Sequence, residues 1–250
     1  VLSLLSGLEP VMQMVCRDRN RIAMQGDILG AVALGIRNCL CLSGDHQSFG
    51  KVGKLIGHPG AKNVYDIDSI NLIAMLKGMR DDHKFLSGDP VKSDMPLFIG
   101  AAWAPLAEPV DFRVIRLAKK VAAGADFIQT QSVYDVERFA NSLKMAREMG
   151  LHEKTAILPG VIVPRSARML TYMNENVPGV TVPKSYIDRM SETQDPKGEG
   201  IKIAIELVND LKSLDGIRGV HIQAIEWESA VREITSGTGL LPRPEVVDAG

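Results

Sequence analysis

The chain has 250 residues, of which 45% are hydrophobic, and its 29 basic and 30 acidic side chains leave a formal net charge of -1. This length is enough for one large α/β barrel or for two smaller domains, and the balanced charge argues against nucleic acid or an anionic membrane as the main partner. Its 3 cysteines form no CxxC or Cys/His ligand pattern, and no apolar run approaches the roughly 20 residues of a membrane span, so we expect no disulfide framework, no metal site, no membrane span and a reducing, cytoplasmic environment.

Short apolar runs alternate along the chain with longer helical patterns. The predicted strands are 11–16, 36–42, 96–102, 126–131, 155–163 and 219–227, with a weaker seventh at 180–183. The helical stretches include one that starts after Pro109, one that ends at Gly150 and a last one that ends near Ser236. The βαβα order predicts a single α/β domain over residues 1–250, built on a parallel sheet with right-handed crossovers.

The number of strands bears on the choice between a closed and an open sheet. A (β/α)8 TIM barrel needs eight strands. Because the chain begins at Val1 without methionine, in what reads as the end of a helix, we expect the first two strands to lie upstream of it. The alternative is an open doubly wound sheet, which the absence of a G-x-G-x-x-G after any strand disfavours.

The second predicted strand ends abruptly in Ser43-Gly44-Asp45. Gly44 permits a backbone geometry or a close approach that a side chain would forbid. Asp45 then stands at the carboxyl end of a strand, where α/β sheets place their ligands, although most such tripeptides are simple turns. The long loop that follows, 45–66, carries three lysines and two histidines. It is suited to an anionic cofactor, and equally to a mobile, solvated loop.

The other predicted strands also end in polar or aromatic residues. These ends are Gln13 with Cys16, Ala101 to Trp103, Gln129 with Gln131, Pro159-Gly160 and Glu226-Trp227. The set contains no Ser/His/Asp triad and no cluster of metal ligands. It therefore predicts that a bound cofactor supplies the difficult chemistry.

Five segments together resemble the methylenetetrahydrofolate reductase family over nearly the whole chain. They are LCLSGD, HPGAKNVYDID, FIGAAWAP, RLAKKVAAGADFIQTQSVYD and ILPGVIV. The chain is most similar to the short form of acetogenic bacteria and related anaerobes. The resemblance implies an eight-stranded barrel that binds flavin at its carboxyl-terminal mouth and reduces methylenetetrahydrofolate to methyltetrahydrofolate.

The resemblance also implies roles for individual residues. Asp45 matches an aspartate near the flavin pyrimidine edge and the folate, and Gln131 matches a glutamine that hydrogen-bonds the pterin; these two are the predicted catalytic residues. Trp103 falls at a tyrosine position where either ring packs on the cofactor. The predicted cofactor-binding set is Gln13, Ser43, Gly44, Asp45, Tyr65, Asp68, Ala102, Trp103, Lys119 and Lys120. For Lys119 and Lys120, matched to a basic pair on the cofactor's phosphate side, the alternative is an exposed helix face.

Three departures from the family pattern qualify these roles. Ser43 stands in place of an arginine, and Arg113 and Arg116 replace an acidic and an amide residue, so both FAD and FMN stay open as the flavin. Glu226-Trp227-Glu228 replaces an asparagine and an arginine, so the glutamate tail of the substrate must be held differently. The family's general acid, a glutamate on the first strand, has no counterpart and is expected upstream of Val1; Glu226 lies on the wrong strand to replace it.

The resemblance implies partners as well. The electron donor is NADH or an electron-transfer partner, and acetogen-type forms resemble subunits of complexes with an iron–sulfur and zinc protein. This chain has no iron–sulfur ligand set of its own. Two other functions stay open: a pterin-binding methyltransferase barrel without flavin, and a non-catalytic subunit that docks an electron-transfer partner.

Overall fold

The computed structural model describes residues 7–46, 58 and 60–242. Within these residues six strands form one sheet in the order β1-β2-β3-β4-β5-β6. They are β1 Val11–Val15, β2 Asn38–Leu42, β3 Phe98–Trp103, β4 Phe127–Ser132, β5 Ala156–Ile162 and β6 His221–Gln223. The pairs β1–β2, β2–β3 and β5–β6 are parallel. The six predicted strands are confirmed, with ends that differ by a few residues.

Helices follow the strands along the described chain. They are α1 Arg21–Ala33, α2 Ser69–Asp81, α3 Val110–Ala123, α4 Val136–Glu148, α5 Leu151–Lys154, α6 Ala167–Asn176, α7 Lys184–Glu192, α8 Pro196–Lys212 and α9 Ser229–Gly237. Five of them begin at a polar side chain that accepts a backbone N–H of the first turn, the usual N-cap. These caps are Asn20, Asp68, Asp135, Ser166 and Asp195.

The helix boundaries predicted from proline and glycine are also confirmed. Helix α3 begins at Val110, directly after Pro109. Helix α4 is followed by Gly150 in the left-handed conformation, with φ of 67°, and the Gly150 N–H donates to the Arg147 carbonyl at 2.8 Å. A left-handed glycine at this place satisfies a carbonyl that the last turn leaves without a helical partner.

Three features differ from the expectations. The prediction of a weaker strand at 180–183 is wrong. These residues form no strand, and the Val182 N–H donates to the Asn174 side chain at 2.9 Å. Strand β6 is three residues long rather than nine. Helix α7 was not predicted, because Met190 is its one buried residue and its nine residues contain few apolar side chains.

The described chain separates into two compact units whose boundary passes through β3 and β4. The first unit contains the residues up to Ala102 together with Arg116–Ile128, and the second contains Trp103–Ile115 and the residues from Gln129 onward. The sequential parallel strand order is compatible with a TIM-barrel-like fold. A single domain and a closed eight-stranded barrel stay predictions.

In the first unit, alternate residues of the strands face opposite sides of the sheet. Cys39 pairs with Met12 and Ile99, and Cys41 pairs with Met14 and Ala101, so these residues share one side. The opposite side contains Leu40 and Gly100. A Cβ on Gly100 would lie 2.2 Å from the Phe127 ring, so the absence of a side chain there lets Phe127 pack against the sheet.

Candidate functional site

The end of β2 is built around Gly44. Its φ is 85°, and a Cβ on it would lie 2.3 Å from Cγ1 of Val15 and 3.1 Å from Cβ of Arg17. A side chain is therefore excluded by conformation and by space together. The expectation that this glycine permits a close approach is confirmed, and the structure identifies the neighbour as the end of β1.

Asp45 follows this glycine with its side chain exposed. Its backbone carbonyl accepts a hydrogen bond from Nη1 of Arg17 at 3.0 Å. Arg17 is itself held by the Asp18 carboxylate, at 2.7 Å from Nε and 3.0 Å from Nη2. The backbone at Asp45 is thus fixed while its carboxylate faces solvent, as a ligand-binding group requires.

The described end of the long loop runs alongside the end of β1. The Val64 and Tyr65 N–H groups donate to the carbonyls of Arg17 and Cys16, at 2.8 and 3.2 Å. The Tyr65 hydroxyl donates to the Gly44 carbonyl at 2.9 Å. The structure therefore brings Tyr65 to the turn that precedes Asp45. Of this loop, residues 47–57 and 59 lie outside the described residues.

An arginine–aspartate pair anchors the same loop end. The Asp66 carboxylate accepts from Nε and Nη2 of Arg21, at 2.8 and 2.9 Å, and from the Arg21 N–H at 2.9 Å. These hydrogen bonds lower the pKa of Asp66 to about 2. The loop end is therefore joined to the start of α1 by a bidentate charged contact.

Ser43 and Asp68 both serve the start of α2. The Ser43 hydroxyl oxygen accepts the Ser69 N–H at 3.1 Å and lies 3.1 Å from the Ser69 hydroxyl. Asp68 is the N-cap, and its Oδ1 accepts from the N–H and the side-chain amide of Asn71, both at 2.9 Å. Both side chains therefore have structural partners within the protein. Their predicted contacts with a cofactor stay predictions.

The two predicted lysines of α3 differ in their surroundings. Lys119 is exposed, whereas Lys120 is partly buried and its Nζ lies 2.5 Å from the Ala102 carbonyl at the carboxyl end of β3. Burial, and then the charge of Arg116 one turn earlier, lower the pKa of Lys120 to about 8. Two cations one helical turn apart repel each other. Arg116 and Lys120 are therefore a candidate anion site beside Ala102.

The three cysteines of the first unit are buried. Cys16, Cys39 and Cys41 are buried free thiols. The pKa of Cys16 is raised to about 11, mainly by burial and to a lesser extent by the charge of Asp68. The pKa of Cys41 is raised mainly by a hydrogen bond with Cys39 and also by burial. A thiol with a raised pKa is a poor nucleophile, so Cys16 and Cys41 are poor candidates for a catalytic role.

Gln13 lies on the other side of the same strands. It is exposed and is paired with Leu40. It therefore shares a side with Leu40 and Gly100, opposite to Cys41 and its neighbours. Whether it contacts a cofactor stays a prediction.

In the second unit, Gln131 lies near the carboxyl end of β4. Its Oε1 is buried with no hydrogen-bond partner among the described residues, and a Cβ on Gly179 would lie 2.9 Å from it. An amide oxygen of this kind accepts hydrogen bonds. An unpaired buried acceptor costs about 1–3 kcal/mol unless a ligand or water pairs with it, so Gln131 is a candidate ligand contact.

Trp103 is also in the second unit. Its side chain is 4% exposed, and its ring lies 6.1 Å from that of Phe139 in a tilted arrangement. Its indole Nε1 is buried without a partner in the described part of the chain. The indole ring therefore already packs against α4. Its packing on a cofactor stays a prediction.

Residues that the sequence interpretation missed include Arg17 and Arg165. Arg17 lies two residues beyond β1, and Arg165 lies three residues beyond β5. Both follow strand ends, which is the signal that would have identified them. The strand-end residues identified from the sequence were Cys16 and Gly160, which precede these two arginines.

The described residues contain neither a metal-binding cluster nor a membrane-spanning helix. No group of three His, Cys, Asp or Glu side chains there is arranged to hold a metal ion. No helix in the same residues is long and apolar enough to cross a membrane.

Comparison with known proteins identifies relatives of the chain. The family model described as "Methylenetetrahydrofolate reductase" matches residues 2–239. A probable methylenetetrahydrofolate reductase (NADPH) of Caenorhabditis elegans is 22% identical over 94% of this chain and 33% of its own length. Methylenetetrahydrofolate reductase 2 of Saccharomyces cerevisiae is 26% identical over 94% of this chain and 37% of its own length.

The chain spans about a third of the length of these curated relatives. A solved structure of an uncharacterised protein from Clostridium thermocellum that binds two copies of 5-methyl-5,6,7,8-tetrahydrofolic acid matches with a TM-score of 0.46 and 13% identity, over 91% of this chain and 93% of that one. The family model covers nearly the whole chain. The chain therefore belongs to the methylenetetrahydrofolate reductase family.

Proposed function

We propose that this chain is the catalytic barrel of a flavin-dependent enzyme that reduces 5,10-methylenetetrahydrofolate to 5-methyltetrahydrofolate. The observation that carries the proposal is the family match over residues 2–239. The proposal includes eight strands in the complete barrel. It also includes NADH or a partner subunit with iron–sulfur clusters as the source of electrons.

The candidate anion site in the first unit supports the proposal that the chain binds a flavin. Arg116 lies one helical turn before Lys120, and Lys120 is partly buried against the Ala102 carbonyl. A flavin phosphate would neutralise the repulsion between the two cations and accept charge-assisted hydrogen bonds from both. FMN and FAD each carry such a phosphate, so the site fits either cofactor.

The unpaired acceptor in the second unit supports the pterin assignment. The Gln131 amide presents a buried oxygen without a partner among the described residues. The same amide carries N–H donors, and a pterin edge displays donors and acceptors side by side. We infer that Gln131 binds and orients the pterin of the substrate.

The proposed chemistry depends on Asp45. When bound, a flavin accepts electrons from a reductant and passes them to the methylene carbon of the folate. The backbone of Asp45 is held by Arg17, and its carboxylate would disfavour additional negative charge on a flavin bound beside it. It also offers an acceptor that positions the pterin. The residue that supplies the proton in this reaction is not assigned.

The test is to purify the complete native protein with any partner subunits and to identify the flavin released on denaturation. Reduction of that flavin and formation of 5-methyltetrahydrofolate are then measured separately, with and without the partner. We expect both steps. Folate binding without flavin would favour a methyltransferase barrel, and flavin or electron transfer without folate turnover would favour a docking subunit.

Tyr65 provides a prediction of modest size. Tyr65→Phe removes the hydroxyl that donates to the Gly44 carbonyl at 2.9 Å, and such a bond contributes about 0.5–1.5 kcal/mol. We expect flavin retention after dialysis to fall by a few-fold, with a larger fall in Tyr65→Ala, and an unchanged circular dichroism spectrum. Exposed Tyr172 on α6 is the matched control as Tyr172→Phe. Full flavin retention in Tyr65→Ala would contradict a role for this loop end.

A further inference from the structure

Arg165 extends from the end of β5 toward the turn after β6. Its Nη1 donates to the Ile225 carbonyl at 3.2 Å. The same nitrogen lies 3.8 Å from the Glu226 carboxylate, and the Arg165 side chain is 46% exposed. The guanidinium is thus held in place by one backbone contact while nearly half of its surface remains accessible.

The turn that contacts Arg165 has an unusual backbone. The Trp227 N–H donates to the Ala224 carbonyl at 2.9 Å, and Glu226 within this turn has φ of 52°. A glutamate is rarely found in this left-handed conformation, which costs about 1 kcal/mol. Its carboxylate is 87% exposed and too far from Arg165 for a direct hydrogen bond. Such a surface ion pair contributes little, so another carboxylate can displace Glu226.

Arg165 also follows the strand next to Gln131. The Val133 N–H, just beyond β4, donates to the Gly160 carbonyl of β5 at 2.9 Å. Gly160 thus lies beside the end of β4 that carries Gln131, and Arg165 follows Gly160 by five residues within the second unit. After β6, Glu226 and Glu228 add two negative charges, which would repel an anionic substrate unless a cation balanced them.

We propose that Arg165 binds a carboxylate of the substrate's glutamate tail, and that Glu226 is the exchangeable counter-ion that this carboxylate replaces. The inference rests on the proposed function, because it takes a folate as the substrate. It makes Arg165 a specificity-determining residue: it distinguishes folates that carry the glutamate from pterins that lack it. No bond is formed or broken in this step.

The experiment compares two ligands in the complete native protein. The first is 5-methyltetrahydrofolate, and the second is 5-methyltetrahydropteroate, which lacks the glutamate; dissociation constants are measured by calorimetry. In Arg165→Ala we expect binding of the first to weaken about tenfold, in the range of a lost charged hydrogen bond, and binding of the second to change less than twofold. KM for methylenetetrahydrofolate should rise with kcat unchanged.

Two further variants sharpen this test. Glu226→Gly removes the competing carboxylate and suits the left-handed backbone, so we expect tighter binding of the glutamate-bearing ligand alone. Arg168→Ala removes an exposed arginine three residues later and should change neither ligand. Because an intact pteroate affinity also reports folding, a misfolded Arg165→Ala protein would be recognised, and Arg165→Gln then replaces it.

The possible outcomes separate the two levels of the argument. Equal weakening of both ligands in Arg165→Ala and Arg165→Gln, or no change in either, would overturn the role of Arg165 while the proposed function stands. Wild-type protein that binds neither ligand would overturn the proposed function and this inference together.

Discussion

Asp45→Asn is expected to slow the reduction of methylenetetrahydrofolate by about 10- to 1000-fold, or roughly 1.4 to 4 kcal/mol of barrier. The asparagine keeps the size of the side chain and much of its hydrogen bonding, but it removes the negative charge. In the proposed function that charge would disfavour a reduced, anionic flavin beside it, so the flavin of the variant should be easier to reduce and should deliver electrons less readily. Reduction of the flavin by its donor should be much less affected.

The measurement is rapid mixing of each half-reaction in the purified variant, together with the flavin reduction potential, which should rise. Asp94→Asn is the matched control, because Asp94 is an exposed aspartate that lies before the amino end of β3 rather than beyond a carboxyl end. It should leave both half-reactions unchanged. Equal slowing of both halves in Asp45→Asn, or of neither, would make Asp45 an ordinary turn residue.

Lys120→Met is expected to weaken flavin binding by about 10- to 100-fold, the range for loss of a charged hydrogen-bond donor. The wild-type affinity should also fall as the pH rises through about 8, because burial lowers the pKa of Lys120 to about 8 and the neutral amine attracts a phosphate less. This fall should be absent from Lys120→Met. Fluorescence titration of the flavin-free protein between pH 7 and pH 9 would measure both effects.

Exposed Lys119 supplies the matched control, since Lys119→Met changes the same charge on the same helix without facing Ala102. The flavin-free protein gives a second check. The pKa of Lys120 is lowered from 10.5 to about 8, so the unfolded chain binds this proton more tightly than the folded chain. Urea unfolding should therefore show that the free energy of unfolding of the wild type rises relative to that of Lys120→Met as the pH increases from about 8 to 10.5. A pH-independent difference would contradict the burial of a charged amine.

The parallel strands were predictable because each is a short apolar run bounded by turn residues. Strand β2, for example, ends where Gly44 is required, and the sequence displays that glycine. Residues 180–183 have a similar apolar composition, but Asn174 on α6 takes the Val182 N–H. Composition does not reveal such a tertiary partner, so the weaker strand was predicted wrongly.

The candidate site was predictable in part for a similar reason. Motif position indicated Asp45 and the Lys119-Lys120 pair as candidates, but it could not decide which lysine faces the sheet. Successive helical residues point about 100° apart, and the contact with Ala102 belongs to Lys120 alone. The contact of Arg17 with Asp45 joins residues 28 positions apart, a distance over which local sequence carries no signal.

The pairing of Ser43 with Ser69 bears on any exchange of residue 43. The Ser43 oxygen accepts the Ser69 N–H, the first of α2. An arginine at position 43 would remove this acceptor, and its longer side chain would have to point away from the start of the helix. An exchange of residue 43 therefore also requires a change at the start of α2, and a single transplanted arginine would yield a less stable protein.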